Sequence, residues 1–297
     1  MFAKVRPTID TFAATPDGAT FFAHYDALVQ RSSATPLDIG SRFGTTRVNS
    51  FGPAGTRPVI LLPGGGATSM AWVNVAGSLA RTRRVHAVDL INDVGRSHVT
   101  RPPDTAGDLL DWLSSVLDGL GAARVDLAGH SYGAMVALAY AVGPGKDRVD
   151  RLALVDPTSS FTGLRTTYLL RALPVLLSPN PGRLRRFLRW ETGGAALNPD
   201  WRDMYCAGAR FPTAPTVVPK RPTDEALSAL GDGGSVTVIV APDSRAHDPR
   251  VVSRRARALL PSARVTMLHS GSHHTVPLEP ADEIADALVG AFDDTSA

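Results

Sequence analysis

Residues 125–139 constrain the fold of this chain more than any other stretch. A short apolar run stops at Gly129, Ser131 lies between Gly129 and Gly133, and apolar residues then recur with helical spacing. This pattern predicts a strand, a sharp turn and a helix. Glycine at both positions lets the strand and the helix pass each other without Cβ collisions, while the turn directs the serine hydroxyl outward. The segment G-x-S-x-G is therefore typical of a nucleophile elbow, with Ser131 as the candidate nucleophile.

Apolar runs and helical patterns alternate on both sides of this segment. Besides the strand of the elbow, strands are predicted at residues 45–51, 58–62, 84–88, 151–155, 236–240 and 264–268. Helices are predicted at residues 19–31, 105–120, 134–142, 250–260 and 281–292. This alternation predicts the α/β class with a doubly wound, mostly parallel sheet, whose catalytic loops lie at the carboxyl ends of the strands.

The alternation lapses between residues 157 and 234, where prolines, tryptophans and short helical patches replace it. Loops of this length are normally lids or small lobes, so we predict a helical cap over the serine. The arginine-rich patch at 183–190 is interpreted as a solvated helix of this cap, with contact to an acidic substrate or a membrane surface as the alternative. The predicted division is an N-terminal helical extension (1–44), a core (45–156 and 235–297) and the cap (157–234).

Composition excludes several classes of function. The formal net charge is only +3, and Lys4, Lys146 and Lys220 are the only lysines, so no basic stripe for nucleic acid is present. Cys206 is the single cysteine, which rules out an internal disulfide. The chain begins without an apolar segment of signal-peptide length and has no run long enough for a membrane span, so we expect a cytoplasmic location.

Cofactor motifs are missing from the sequence. No spacing of histidine, cysteine and acidic residues suggests a metal site, and neither a dinucleotide fingerprint nor a phosphate loop occurs. We therefore expect neither cofactor nor metal. The expected partner is a small-molecule substrate, and the expected state is a monomer or homodimer.

Several segments together resemble the α/β-hydrolase superfamily, over residues 45–292. The loop at 61–67 resembles the family's strand followed by His-Gly-x, with Pro63 in place of the usual histidine, and the elbow matches in full. Residues 87–97 resemble the family's Asp-x-x-Gly-x-Gly-x-Ser loop, with Asn92 in place of a glycine, and residues 270–279 resemble its late histidine loop. The resemblance implies an α/β-hydrolase fold with a helical cap and a chain order of serine, acid and histidine.

The resemblance also implies roles for individual residues. Ser131 would be the nucleophile, and His273, rather than His274, would be the base that activates it. The backbone N–H groups of Gly65 and Tyr132 would form the oxyanion hole. Because these donors are backbone groups, the proline at position 63 need not harm them, although it can change how the loop is braced.

The acid is the residue that the sequence defines least. Most hydrolases of this fold carry it just after the strand that here covers 236–240, but Ser244 stands at that position. Asp243 is one position early and Asp248 four positions late. Asp156, at the tip of the preceding strand, is the alternative family location, unless it only braces its own turn. We predict Asp156, with Asp243 ahead of Asp248 in reserve.

These residues predict a carboxylesterase-like serine hydrolase. The substrate would be a carboxylic ester, thioester or lactone of a small molecule, cleaved through an acyl-serine intermediate. Because the same scaffold supports other activities, the alternative is a non-hydrolytic catalyst of the cyclase or lyase type, or a ligand-binding protein, in small-molecule biosynthesis.

Overall fold

The computed structural model describes residues 8–54, 57–232 and 236–293. The predicted extension, core and cap include residues 1–7, 55–56, 233–235 and 294–297, which lie outside the described residues. The strands are β1 (Thr35–Ser41), β2 (Gly44–Phe51), β3 (Val59–Leu62), β4 (Val85–Val88), β5 (His98–Val99), β6 (Val125–His130), β7 (Val149–Val155), β8 (Val236–Val240) and β9 (Arg264–Met267). The helices are α1 (Ile9–Ala13), α2 (Pro16–Arg31), α3 (Val73–Leu79), α4 (Ala106–Gly119), α5 (Tyr132–Val142), α6 (Thr166–Leu177), α7 (Pro181–Glu191), α8 (Pro199–Ala207), α9 (Asp224–Asp232), α10 (Pro249–Leu259) and α11 (Ala281–Asp293). Within the described ranges, no helix has both the length and the apolar content to cross a bilayer.

The strands form one sheet in the order β1-β2-β4-β3-β6-β7-β8-β9, with β5 paired to β2. From β4 to β9 along this order the strands are parallel, and β1, β2 and β5 pair antiparallel. Helices cover both faces. The predicted doubly wound, mostly parallel α/β sheet is thus confirmed.

The apolar run at β3 shows why the sheet is buried on both faces. All four of its residues are fully buried, and they alternate between two cores: Val59 and Leu61 face one, Ile60 and Leu62 the other. Since successive side chains of a strand point to opposite faces, a continuous apolar run fits only a strand covered on both sides. The central strands therefore place their carboxyl ends at one edge of a rigid layer.

The segment at residues 1–44, predicted as a helical extension, contains strand β1 besides the helices α1 and α2. Strand β1 pairs with β2 along its whole length at the end of the sheet. Its residues are mostly exposed and include Pro36 and Gly40, and the apolar alternation that predicts a strand is limited to Leu37 and Ile39. The division of the chain into extension, core and cap remains a prediction.

Residues between β7 and β8 form α6 to α9, which we call the insertion helices. Helix α2 packs against α8 of this group. The carboxylate of Asp200, in the first turn of α8, pairs with His24 and Arg31 of α2. Helix α2 therefore holds one insertion helix in place beside the sheet.

Candidate active site

The turn between β6 and α5 has the geometry expected of the elbow. Ser131 has a φ of +52°, which is rare for a residue with a side chain. A Cβ on Gly129 would lie 2.2 Å from the Gly133 carbonyl oxygen, and one on Gly133 would lie 2.4 Å from the Pro63 carbonyl oxygen. Both glycines are therefore required by close backbone approach, for the reason the sequence pattern suggested.

The three residues predicted as catalytic lie together. His273 Nε2 is 2.9 Å from Ser131 Oγ, and His273 Nδ1 is 2.6 Å from Asp156 Oδ2. The serine and the aspartate follow the neighbouring strands β6 and β7, whereas the histidine comes from the loop between β9 and α11. When Nδ1–H donates to the carboxylate, the lone pair of Nε2 faces the serine hydroxyl, which is the arrangement that a general base requires.

Asp156 is fully buried and accepts four hydrogen bonds. Oδ1 accepts from the Ala241 N–H and from His247 Nε2, both at 3.0 Å, and Oδ2 accepts from Ser244 Oγ at 2.9 Å as well as from His273. Burial acts to raise the pKa of Asp156, but the interactions with His247 and His273 outweigh it and the pKa lies below its ordinary value. The carboxylate is therefore held ionised and in one orientation.

Ser244 and His247 were not predicted as site residues, although both contact the carboxylate. A serine at the usual position of the acid was the available signal for Ser244. His247 is fully buried, and its Nδ1 has no partner among the described residues. With Nε2–H donating, Nδ1 carries a lone pair instead of a proton in the neutral ring. The loop after β8 thus supplies donors to the acid instead of the acid itself.

The alternative residues lie elsewhere. Asp243 is exposed, and Asp248 caps α10 while it pairs with Arg165 at 3.1 Å. His274 Nδ1 is 3.3 Å from a carboxylate oxygen of Glu191. Among the hydrogen bonds of the described residues, none joins Asp243 or Asp248 to the imidazole next to Ser131. The structure therefore brings together Asp156 and His273 and separates the reserve candidates.

Glu191, the last residue of α7, binds the histidine loop and was not predicted. Its buried carboxylate accepts from Ser272 Oγ at 2.8 Å, from the His273 N–H at 3.1 Å and from the His274 N–H at 2.9 Å. Burial acts to raise the pKa of Glu191, but the interactions with His274 and His273 outweigh it and lower the pKa to about 2. An ionised residue of the insertion therefore positions the backbone that carries His273.

Gly65 and Tyr132 lie side by side next to the serine. A Cβ on Gly65 would be 3.6 Å from Tyr132 Cβ, and both residues line the cavity that contains Ser131. Tyr132 is the first residue of α5, so its N–H has no acceptor within the helix. The Gly66 N–H donates to Asp93 Oδ2 at 2.9 Å, and burial raises the pKa of Asp93 to about 6. Asp93 thus braces the glycine loop.

The cavity at the serine has a volume of about 140 Å³. Its aromatic wall comes from the insertion, through Tyr168 of α6 and Trp201 and Tyr205 of α8. A larger groove of about 830 Å³ lies along α4, α5 and residues 215–223, but it contains neither Ser131 nor His273. Within the described residues no cluster of histidine, cysteine and acidic side chains fits a metal ion. The smaller cavity is therefore the candidate active site, because it holds the reactive groups.

Comparison with known proteins agrees with this architecture. Residues 59–287 match the model of the alpha/beta hydrolase family. Carboxylesterase YbfK of Bacillus subtilis (strain 168) is 27% identical over 206 residues, covering 67% of each chain. The uncharacterized carboxylesterase nap of the same organism is 25% identical over 244 residues, covering 79% of each chain. The crystal structure of carboxylesterase CesB (YbfK) shares the fold, with a TM-score of 0.81 and 22% identity over 93% of this chain and 98% of that one. Since the family model spans most of its length, this chain belongs to the α/β-hydrolase family.

Proposed function

We propose that this protein is a serine hydrolase that cleaves a carboxylic ester, thioester or lactone of a small molecule through an acyl-serine intermediate. The observation that carries the proposal is the hydrogen-bonded chain from Asp156 through His273 to Ser131. The similarity to two proteins named as carboxylesterases supports the ester as the substrate class.

The geometry supports a two-step reaction. Ser131 Oγ attacks the carbonyl carbon while His273 Nε2 takes the hydroxyl proton, and the N–H groups of Gly65 and Tyr132 receive the charge that develops on the oxygen. Nε2–H then gives the proton to the leaving alcohol or thiol, which leaves an acyl group on the serine. A water molecule, deprotonated by the same nitrogen, releases the acid and restores the hydroxyl. Asp156 keeps Nδ1 protonated and stabilises the imidazolium in both steps.

The size and lining of the cavity favour a small apolar acyl group. An apolar cavity of about 150 Å³ accommodates one benzene molecule, and the space here is similar at about 140 Å³. Trp201 stacks on Tyr205 with ring centroids 5.0 Å apart, which gives the wall of the insertion a rigid aromatic surface. We propose that the insertion acts as the cap and sets the acyl preference.

The proposal is tested with two reagents. A fluorophosphonate should label each protein molecule once, at Ser131, as located by peptide mass spectrometry. With p-nitrophenyl acetate, we expect a burst of one equivalent of p-nitrophenol per protein molecule, followed by turnover. The Ser131→Ala variant should give neither signal. Labelling without any ester turnover would favour the non-hydrolytic alternative, and no labelling of native protein would contradict a reactive serine.

The pH dependence follows from the burial of His273. Burial lowers the pKa of His273 from 6.5, and the hydrogen bond to Asp156 only partly offsets this shift. Because the neutral imidazole is the active base, kcat/KM should be constant near pH 7.5 and should fall tenfold per pH unit below a midpoint that lies under 6.5. Asp93 has a pKa of about 6, close to the expected midpoint, so its titration must be distinguished from that of His273. The Asp93→Asn variant is the control and should show the same decrease of kcat/KM at low pH. A midpoint above 7, or a decrease that disappears in Asp93→Asn, would contradict the assignment to His273.

A further inference from the structure

Helix α6 is apolar on two sides, and this chain covers only one of them. Tyr168, Ala172 and Val175 pack against the core as one stripe. The residues of the other stripe have exposed fractions between 44% and 76% and are Leu169, Leu170, Leu173, Leu176 and Leu177. No residue of this helix is buried. A helix that is apolar all round is normally covered on all sides, so the leucine stripe has the character of a contact surface.

The segment of the chain that carries this leucine stripe is strongly basic. Residues 157–190 contain no aspartate or glutamate, and the next acidic residue, Glu191, is buried. The same segment contains six arginines: Arg165, Arg171, Arg183, Arg185, Arg186 and Arg189. In the described part of the chain, no carboxylate forms an ion pair with Arg171, Arg183, Arg186 or Arg189.

One of these arginines belongs to α6, and a second one contacts the residue that follows α6. The Arg171 guanidinium is 5.6 Å from the centre of the Trp190 ring, at the end of α7. Arg183 donates to the carbonyl oxygen of Ser178, which directly follows α6, at 2.7 Å. Leucines on an exposed helical face with unpaired arginines at its border form the pattern of a helix that lies in the interface of a membrane.

We infer that the leucine stripe of α6 docks on an anionic phospholipid surface. The positive charge of the arginines favours an anionic lipid surface over a second copy of the chain. In a twofold symmetric contact the same surface meets itself, so unpaired arginines would face arginines without a carboxylate between them. Anionic headgroups supply the missing negative charge, and the acyl region covers the leucines.

The inner side of the same helix gives this docking a consequence for substrate access. Tyr168 lines the cavity with Ser131, and its ring centroid is 6.2 Å from that of His273. A helix that contacts lipid on one side and the cavity on the other brings apolar esters dissolved in the membrane close to the serine. This consequence rests on the proposed hydrolase function, whereas the docking itself does not.

Co-sedimentation of the protein with vesicles tests the docking. We expect binding to vesicles of phosphatidylglycerol and phosphatidylcholine, at least tenfold weaker binding to pure phosphatidylcholine, and a decrease with added NaCl. The triple variant Leu170→Ser, Leu176→Ser and Leu177→Ser should lose binding at least tenfold to both kinds of vesicle. The variant Arg171→Gln with Arg183→Gln should lose it mainly on the anionic vesicles.

Leu37→Ser is the matched control, since Leu37 is an exposed leucine of β1 that is not part of the leucine stripe. It should bind vesicles like the native protein, and turnover of a water-soluble ester should be unchanged in the triple variant. Absence of binding to anionic vesicles would overturn the inference, as would an equal loss in Leu37→Ser. Self-association that the triple variant abolishes, seen by analytical ultracentrifugation in protein that does not bind vesicles, would assign the stripe to a second copy. If the native protein did not turn over esters, this would count against the proposed function but would not affect the vesicle result.

Discussion

Replacing Ser131 with alanine is expected to lower kcat by roughly 10⁶-fold, because loss of the nucleophile in a triad removes nearly all of its contribution at once. The variant should fold normally. Among the described residues, the Ser131 hydroxyl forms hydrogen bonds with His273 and Thr158 only, and alanine removes this hydroxyl while it keeps the Cβ. Steady-state kinetics with p-nitrophenyl acetate measures the loss, and thermal unfolding shows that the fold is intact.

The matched control for this substitution is Ser160→Ala. Ser160 is buried, and its hydroxyl donates to the Thr158 carbonyl oxygen at 3.3 Å. Ser160→Ala therefore removes a serine hydroxyl that lies close to the site but forms no hydrogen bond with the imidazole. We expect its activity to stay within tenfold of that of the native protein. If Ser131→Ala kept more than about a hundredth of the native kcat, the acyl-serine mechanism would be wrong.

The Asp156→Asn substitution is expected to lower kcat by about 10⁴-fold with little change in KM. The backbone N–H of Ala241 needs an acceptor, so the amide oxygen of the asparagine should take the position of Oδ1. The amide NH₂ then faces His273 Nδ1, which must become the acceptor and pass its proton to Nε2. A histidine in this tautomer cannot take the proton of Ser131.

Two further substitutions locate the acid. Asp243→Asn removes an exposed carboxylate, and Asp248→Asn keeps a side chain that caps helices equally well, so both variants should retain near-native kcat and thermal stability. A near-native Asp156→Asn together with an inactive Asp243→Asn would show that the carboxylate comes from the loop after β8 instead.

Much of the fold could be predicted because periodicity reports burial directly. The strand at 236–240 has the predicted bounds, and α4 and α11 begin or end within one residue of them. These elements are covered on the sheet faces, so their apolar spacing is strict. Helices α8 and α9 were not predicted, because nine residues are too few to show the period of a helix clearly, and contacts with other elements stabilise them more than their own pattern does.

The candidate site also contains residues that a local sequence pattern predicts and residues that no such pattern predicts. The G-x-S-x-G pattern predicts Ser131 from local geometry alone, because strand and helix must cross at that turn. Glu191 and His247 carry no such pattern. Each lies far along the chain from the group it contacts, on an element whose position depends on the packing of the whole domain. Single-sequence reasoning has no access to contacts of this kind, and it reached Asp156 only through the resemblance to a family.

Because Glu191 binds the histidine loop, the position of the base His273 depends on whether the end of α7 stays against the sheet. Any local unfolding that moves the end of α7 away from the sheet removes the acceptor of the His273 and His274 amides in the same event. We expect these amide protons to exchange with solvent as part of the cooperative unit that contains α7, and those of β6 to exchange only on global unfolding. In a molecule with an open insertion, we therefore expect the imidazole of His273 to leave its position next to Ser131, so that the serine is exposed to solvent in a form that reacts poorly.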